Sequence, residues 1–233
     1  MRILAIIPAY NEAANIQTVV EDLRSTTCDV ILINDGSSDD TVLKAEALGI
    51  PIITHPFNLG IGGTVQTGLK FAHQKGYDLA IQFDGDGQHR ADQIGIIVER
   101  VKGGEADLVI GSRTLPGGYR IGNARRIGSR IFQLLIKLLS GETIQDPTSG
   151  FRCYGKKAIE LFALHYPDDY PEVESIITAA RHGLKIQEVP VLMRRRLTGY
   201  SSINRRRSAY YMLKVSLALI VDSCRAKTLL RES

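Results

Sequence analysis

The chain has 233 residues, 44% hydrophobic and 23% charged, with a net charge of +4, so one sizeable core is available and no extreme charge dictates a partner. Cys28, Cys153 and Cys224 are odd in number, far apart and without a C-x-x-C pair, which excludes a disulfide framework or zinc knuckle and favours a reducing compartment. No uninterrupted apolar stretch approaches the roughly 20 residues of a membrane helix, and "MRILAIIPAY" lacks a signal-peptide layout, so the expectation is a cytoplasmic protein, soluble or peripheral on the inner face of the plasma membrane.

In chain order, "RILAIIPA" is a continuous apolar run that predicts a buried strand. "NEAANIQTVVEDLRS" follows with helical spacing, Ile16, Val19, Val20 and Leu23 sharing a face and Asn11 standing where a cap would be. "DVILIND" predicts a second strand and "DDTVLKAEALG" a second helix closed by Gly49. "IPIITH" and "GGTVQTGLKFAHQKG" are a third strand and helix. "YDLAIQFD" is a fourth strand, a helix covers Ile94 to Lys102, and "ADLVIGS" is a fifth strand. Alternating segments of this kind predict an α/β fold, a mostly parallel sheet flanked by helices.

Ligands of such sheets bind beyond the carboxyl ends of the strands. Here those ends read "PAYNE", "NDGSSDD", "HPFNLG", "DGDGQH" and "GSR", all polar, charged or glycine-rich. Asp84 and Asp86, one residue apart between glycines, fit either an Asp-Gly turn or a divalent-metal loop. The segregation of polar motifs to one edge favours the metal.

Beyond residue 113 the alternation breaks. "TLPGGYRIGN" is a loop, "ARRIGSRIFQLLIKLLSG" a helix with a basic first turn, and "QDPTSGFRCYG" a loop leading to a short strand. "YPEVESIITAARHGLKIQEVPVLMRRR" gives a helix and a strand ending in arginines. This last third is expected at the sheet's edge, completing the pocket. "SAYYMLKVSLALIVDSC", residues 208–224, is apolar almost all round a helix and interrupted by Lys214 and Asp222. With Arg205, Arg206 and Arg207 ahead of it, it suits an anionic membrane surface, a small membrane-protein partner, a homodimer contact or a core helix. The expected division is therefore 1–207 as the main domain and 208–233 as a terminal helix and tail. The arginine clusters lack an aromatic stacking platform, so nucleic acid is not expected.

The ordered set "PAYNE", "NDGSSDDT", "FDGDGQH", "GSR", "DPTSGFR", "EVP" and "RLTGYSS" resembles the inverting family-2 glycosyltransferases of the GT-A fold, within them the branch of dolichol-phosphate mannose synthase and bacterial polyprenyl-phosphate sugar transferases. The resemblance spans roughly Ile3 to Ile203 and implies a nucleotide-sugar donor held by Pro8, Ala9, Tyr10, Glu12 and Asp35. Tyr10 suits stacking on a base; Glu12 suits ribose or base donors, or simply the dipole of the following helix. The resemblance puts Mg²⁺ or Mn²⁺ on Asp84 and Asp86 with Gln88 beside them, bridging the donor diphosphate. His89 ends the loop, since a hard cation prefers oxygen.

Arg196 matches an arginine that closes over the diphosphate. Ser202 stands where mannose synthases often carry Lys, with Arg194, Arg195 or Arg205 as substitutes. Asp146 matches the catalytic-site carboxylate, against the alternative of an Asp-Pro turn, and Glu174 is a secondary candidate. Arg113, Arg125 and Ser129 match positions that hold an acceptor phosphate, and Arg125 and Ser129 are four apart on one helix face. The acceptor expected is a polyprenyl phosphate; a glycan hydroxyl, with Asp146 as base, is the alternative. A sugar nucleotidyltransferase would carry a glycine-rich basic loop after strand one, absent here; a non-catalytic nucleotide-sugar scaffold would not need Asp84, Asp86 and Asp146.

Overall fold

The computed structural model describes residues 1–115, 123–167 and 170–194, with 123–128 described as helical backbone only. The expected terminal helix and tail, 208–233, lie outside the described residues. In chain order the elements are β1 (Ile3–Ala9), α1 (Ile16–Leu23), β2 (Asp29–Asn34), α2 (Thr41–Ala47), β3 (Ile52–Thr54), α3 (Gly60–Gln74), β4 (Leu79–Gln82) and α4 (Ile94–Lys102). There follow β5 (Leu108–Ser112), α5 (Asn123–Ser140), β6 (Arg152–Gly155), α6 (Lys156–Leu164), α7 (Pro171–Arg181) and β7 (Ile186–Pro190).

The strands form one seven-stranded sheet in the order β3-β2-β1-β4-β6-β5-β7. Alternation along β1 divides the core. Ile3, Ala5 and Ile7 face α1 and α4, meeting Val19, Val20, Leu23, Ile97 and Val98. Leu4 and Ile6 face α3 and α6, meeting Val65, Leu69, Ile159 and Phe162. Each such Val, Leu, Ile or Phe side chain taken out of water contributes about 1.5–3 kcal/mol. A third cluster joins Ile110 to Phe132 and Ile136 of α5 and to Val173, Ile176 and Ile177 of α7.

The expected face of α1 is buried as read, but Asn11 does not cap it. The helix begins at Ile16, and Asn11 sits in the left-handed region at φ 55°. Its side-chain oxygen accepts the Ser38 N–H at 2.8 Å. The helix α6 is an addition to the expected elements.

The larger correction concerns the last third. It does not stay at the sheet's edge, because β6 inserts antiparallel between β4 and β5 and all four of its residues are buried. Only β7 adds at the edge, parallel to β5. The antiparallel direction has a use. It brings the segment that precedes β6, residues 145–151, to the same edge as the carboxyl ends of β1, β2, β4 and β5.

Candidate active site

The segment after β1 is fastened before it can bind anything. The Asp35 N–H donates to the Ala9 carbonyl at 2.8 Å, and the Glu12 N–H donates to Thr41 Oγ1 at 2.9 Å. The Glu12 carbonyl accepts from Asn15 and Ile16 and starts α1, while its carboxylate accepts from Asn15 Nδ2 at 2.7 Å. Tyr10 is left half exposed at this edge.

Asp35 reaches the same edge with its carboxylate turned inward. Oδ1 accepts from His55 Nδ1 at 2.9 Å and from the Leu59 N–H at 2.8 Å, and Oδ2 accepts from the Gly60 N–H at 2.9 Å. An ionised carboxylate only accepts, so His55 Nδ1 carries a proton. Asp35 thus caps the exposed donors at the start of α3.

The "DGDGQH" loop packs directly on "PAYNE". The Gly85 N–H donates to the Pro8 carbonyl, and a Cβ at Gly85 would lie 3.1 Å from that oxygen and 3.5 Å from Glu12 Cγ. Gly87 adopts φ 75°, where other residues are strained. Asp86 Oδ1 accepts the Gln88 N–H at 3.0 Å, closing a tight turn. Asp84 Oδ1 accepts from Gln82 Nε2 at 3.1 Å, and its side chain is about a third exposed.

His89 works under Asp84. The Asp84 N–H donates to His89 Nδ1 at 2.9 Å, which leaves the ring proton on Nε2, 3.5 Å from Asp84 Oδ2. The ring stacks on Phe151 with centroids 4.7 Å apart and meets Phe83 edge-on. Burial pushes the His89 pKa down against the pull of Asp84 and Asp86, so the imidazole is neutral.

Two carboxylates with Gln88 half-buried beside them make an all-oxygen donor set, suited to a hard divalent cation. No group of three or more His, Cys, Asp or Glu that could hold a metal occurs among the described residues. A hard divalent cation with only one or two protein carboxylates is the kind that keeps water and substrate phosphate oxygens as further ligands.

Opposite stands the loop before β6. Arg113, just past β5, donates through Nε to Asp146 Oδ2 and through Nη2 to Asp146 Oδ1, both at 2.7 Å, and through Nη2 to Thr148 Oγ1 at 2.9 Å. Burial opposes the Arg113 charge, but hydrogen bonds and the charge of Asp146 outweigh it and raise its pKa, with Asp84 adding to the same effect. Ser129 Oγ and Gln133 Nε2, on α5, both reach the Gln145 carbonyl, at 3.4 and 2.6 Å. Gly150 closes the gap between the two halves. A Cβ there would lie 2.8 Å from Asp84 Oδ2 and from Gln82 Nε2.

The structure thus brings Pro8, Ala9, Glu12, Asp84 and Asp86 together, and joins them through Gly150 to Asp146, Arg113 and Ser129. Arg194 is already engaged. Its N–H donates to the Gln88 carbonyl at 2.8 Å and its guanidinium pairs with Asp22 at 3.0 Å, so it does not stand free as a substitute lid charge. Glu174 lies in the first turn of α7. Arg195, Arg196, Ser202 and Arg205, and the side chain of Arg125, lie outside the described residues.

Three residues lie inside the quoted motifs without a role assigned to them there: His55 in "HPFNLG", Arg152 in "DPTSGFR" and Glu188 in "EVP". Glu188 on β7 accepts the N–H groups of Gln145 and Asp146, Arg152 on β6 holds the carbonyls of Pro147 and Ser149, and His55 locks Asp35. Their places in those motifs are the available signal, and Arg152 adds a charge at the head of an otherwise uncharged buried strand.

Residues 4–162 match the family model described as glycosyl transferase family 2. The chain is 32% identical over 216 residues to an undecaprenyl-phosphate mannosyltransferase of Micrococcus luteus, covering 88% of each chain. It is 31% identical to a UDP-N-acetylglucosamine–dolichyl-phosphate N-acetylglucosaminyltransferase of Methanococcus voltae, covering 81% of this chain and 84% of that one. Among solved structures, glucosyl-3-phosphoglycerate synthase from Mycobacterium tuberculosis, crystallised with Mn²⁺, uridine diphosphate and glucosyl-3-phosphoglycerate, superposes with a TM-score of 0.72. That match has 21% identity and covers 96% of this chain and 80% of that one, which establishes the shared fold.

Proposed function

The chain belongs to glycosyl transferase family 2 and is a glycosyltransferase of the GT-A fold; from that premise we propose that it transfers a sugar, with inversion, from a nucleotide sugar to a polyprenyl phosphate. One observation carries the acceptor assignment. Ser129 and Gln133 of α5 meet the Gln145 carbonyl beside the Asp146–Arg113 pair, and from that point α5 exposes an apolar stripe of Ile131, Leu134 and Leu138, 40%, 58% and 70% exposed. A charged head beside an open apolar track is the chemistry of a lipid phosphate. The relatives named for undecaprenyl-phosphate and dolichyl-phosphate acceptors support the same reading.

In this reading "PAYNE" receives the nucleotide, with Tyr10 against the base and Glu12 toward the ribose. Asp84, Asp86 and Gln88 would hold a Mg²⁺ or Mn²⁺ ion, which would supply charge neutralisation for a departing nucleoside diphosphate. Asp84 is kept in place by His89 and Gln82, and Arg196 closes over the diphosphate as the family resemblance implies. An acceptor phosphate is ionised at neutral pH and attacks the anomeric carbon without a general base. Asp146 then serves to hold Arg113, whose guanidinium, with Arg125 and Ser129, receives the acceptor phosphate. A glycan hydroxyl would need Asp146 as base, yet both its oxygens already accept from Arg113. No helix among the described residues is long and apolar enough to cross a membrane; in this reading the lipid phosphate is met at a membrane surface.

The test offers undecaprenyl phosphate, and separately a soluble saccharide, to the purified enzyme with Mn²⁺ and a panel of UDP- and GDP-sugars. Transfer to the lipid is expected, and Arg125→Ala should raise the acceptor KM while leaving donor binding within about twofold. An enzyme that glycosylates the saccharide and ignores the lipid overturns the assignment.

A further inference from the structure

We propose that Glu188 is a positioning residue for the transfer reaction, acting with buried Arg152 as a two-signed clamp on the backbone of the loop that carries Asp146; this rests on the sugar-transfer reading above. The loop's amide and carbonyl groups are sorted by charge. Glu188 Oε2 accepts the Gln145 N–H at 2.6 Å and Oε1 accepts the Asp146 N–H at 2.7 Å. From beneath, Arg152 donates through Nε to the Ser149 carbonyl at 2.8 Å and through Nη2 to the Pro147 carbonyl at 3.3 Å. The same guanidinium is anchored to α7 by the Glu172 carbonyl and Ser175 Oγ, each at 2.6 Å.

Charge-assisted bonds of this kind are roughly twice as strong as neutral ones. Four backbone groups in five consecutive residues, 145–149, are held by two ionised side chains from two different strands. Asp146 cannot swing without breaking them, and Asp146 in turn fixes both the Arg113 fork and the Arg113 N–H, 2.9 Å from Oδ2. At the far end of the same loop Gly150 abuts Asp84. The clamp therefore sets the spacing between the acceptor half of the site and the carboxylate loop.

Stability alone gives a poor reason for a carboxylate at 188. Burial pushes the Glu188 pKa up, partly offset by the two backbone N–H groups, so the folded chain disfavours its charge. A neutral glutamine would avoid that cost and keep one of the two bonds.

The test compares wild type, Glu188→Gln and Glu188→Ala, using whichever donor and acceptor wild type accepts from the panel above. A displacement near 1 Å costs about 10²-fold, so kcat should fall by about 10- to 100-fold, less for Gln than for Ala. The donor KM should stay within about twofold and the Gln variant should melt no more than a few degrees lower. Amide hydrogen exchange at Gln145 and Asp146 should quicken in both variants, a reading independent of acceptor identity. If Ala fails to fold, Gln decides. An unchanged kcat, or a kcat that falls only as the folded fraction does, overturns the proposal. If wild type glycosylates a saccharide instead of a lipid, the acceptor reading falls by itself, and the same kcat comparison on that saccharide still decides for Glu188.

Discussion

Asp146 grips Arg113 with both carboxylate oxygens at 2.7 Å, and the carboxylate is essentially buried while the guanidinium keeps about a quarter of its surface. Removing one partner of such a pair strands the other in a low-dielectric setting. Asp146→Asn should lower stability by about 3 kcal/mol, read from the urea midpoint at constant m-value. Arg113→Lys keeps the charge, loses the planar fork, and should cost less stability than it costs turnover. A midpoint unmoved by Asp146→Asn would mean that the pair contributes nothing.

Asp86→Asn should leave the fold intact, because the Gln88 N–H can still be accepted by the amide oxygen. Its expected defect is chemical. In the proposed reading Asp86 would help hold the metal, and its loss should remove several kcal/mol of charge stabilisation, about 10³-fold in rate. EDTA should abolish wild-type turnover, with recovery on adding Mn²⁺; turnover that persists in EDTA refutes the metal role.

His89 supplies a pH signature. Its folded pKa lies below that of the unfolded chain, about 6.5, because burial disfavours the charged ring. As pH falls below about 6.5 the unfolded state binds a proton that the folded state resists, so stability falls in that window and is whole above it. His89→Asn keeps an acceptor near Nδ1 and does not titrate. Between pH 7.5 and 5 it should therefore lose less stability than wild type, measured as the difference in urea midpoints. Parallel slopes would disprove the assignment.

Gly150→Ala is a steric test of the Asp84 position. The new methyl would stand 2.8 Å from Asp84 Oδ2 and from Gln82 Nε2, closer than a Cβ is tolerated. Relieving that contact moves the carboxylate by a few tenths of an ångström or turns it, which should reduce metal-dependent turnover by about 10-fold, less than the roughly 10²-fold of a full 1 Å misplacement. Wild-type activity in this variant would show that Asp84 is free to move.

Much of the fold was legible because buried parallel strands are continuous apolar runs, and "RILAIIPA" or "ADLVIGS" has no competing interpretation. The site's edge followed from where the polar motifs collect. What escaped was whatever depends on partners distant in the chain. β6 has four residues and opens on a charge, so nothing local reveals that it pairs with β4 and β5. Asn11 satisfies the local rule for a cap and is taken instead by Ser38, 27 residues on in the loop after β2. Asp35 is expected at the donor site from its motif; that its carboxylate also accepts from His55, Leu59 and Gly60 depends on residues at least twenty positions further along the chain. Glu188 was noticed only within "EVP", since a strand residue carries no mark of the loop it will bind.

The insertion of β6 also makes completion of the sheet wait on a distant segment of the chain. β4 and β5 are consecutive in the chain and never touch in the ladder; β4 ends at Gln82, and its outer partner begins only at Arg152. During synthesis the first four strands can pair while β4 offers an unfilled hydrogen-bonding edge to solvent or to a neighbouring chain. Closing it demands a contact of long sequence separation, whose loop-closure cost slows the final step. The residues that meet around Gly150 therefore become neighbours only when that step is complete, so a half-made chain can own the "PAYNE" and "DGDGQH" edge without yet owning the Asp146–Arg113 half.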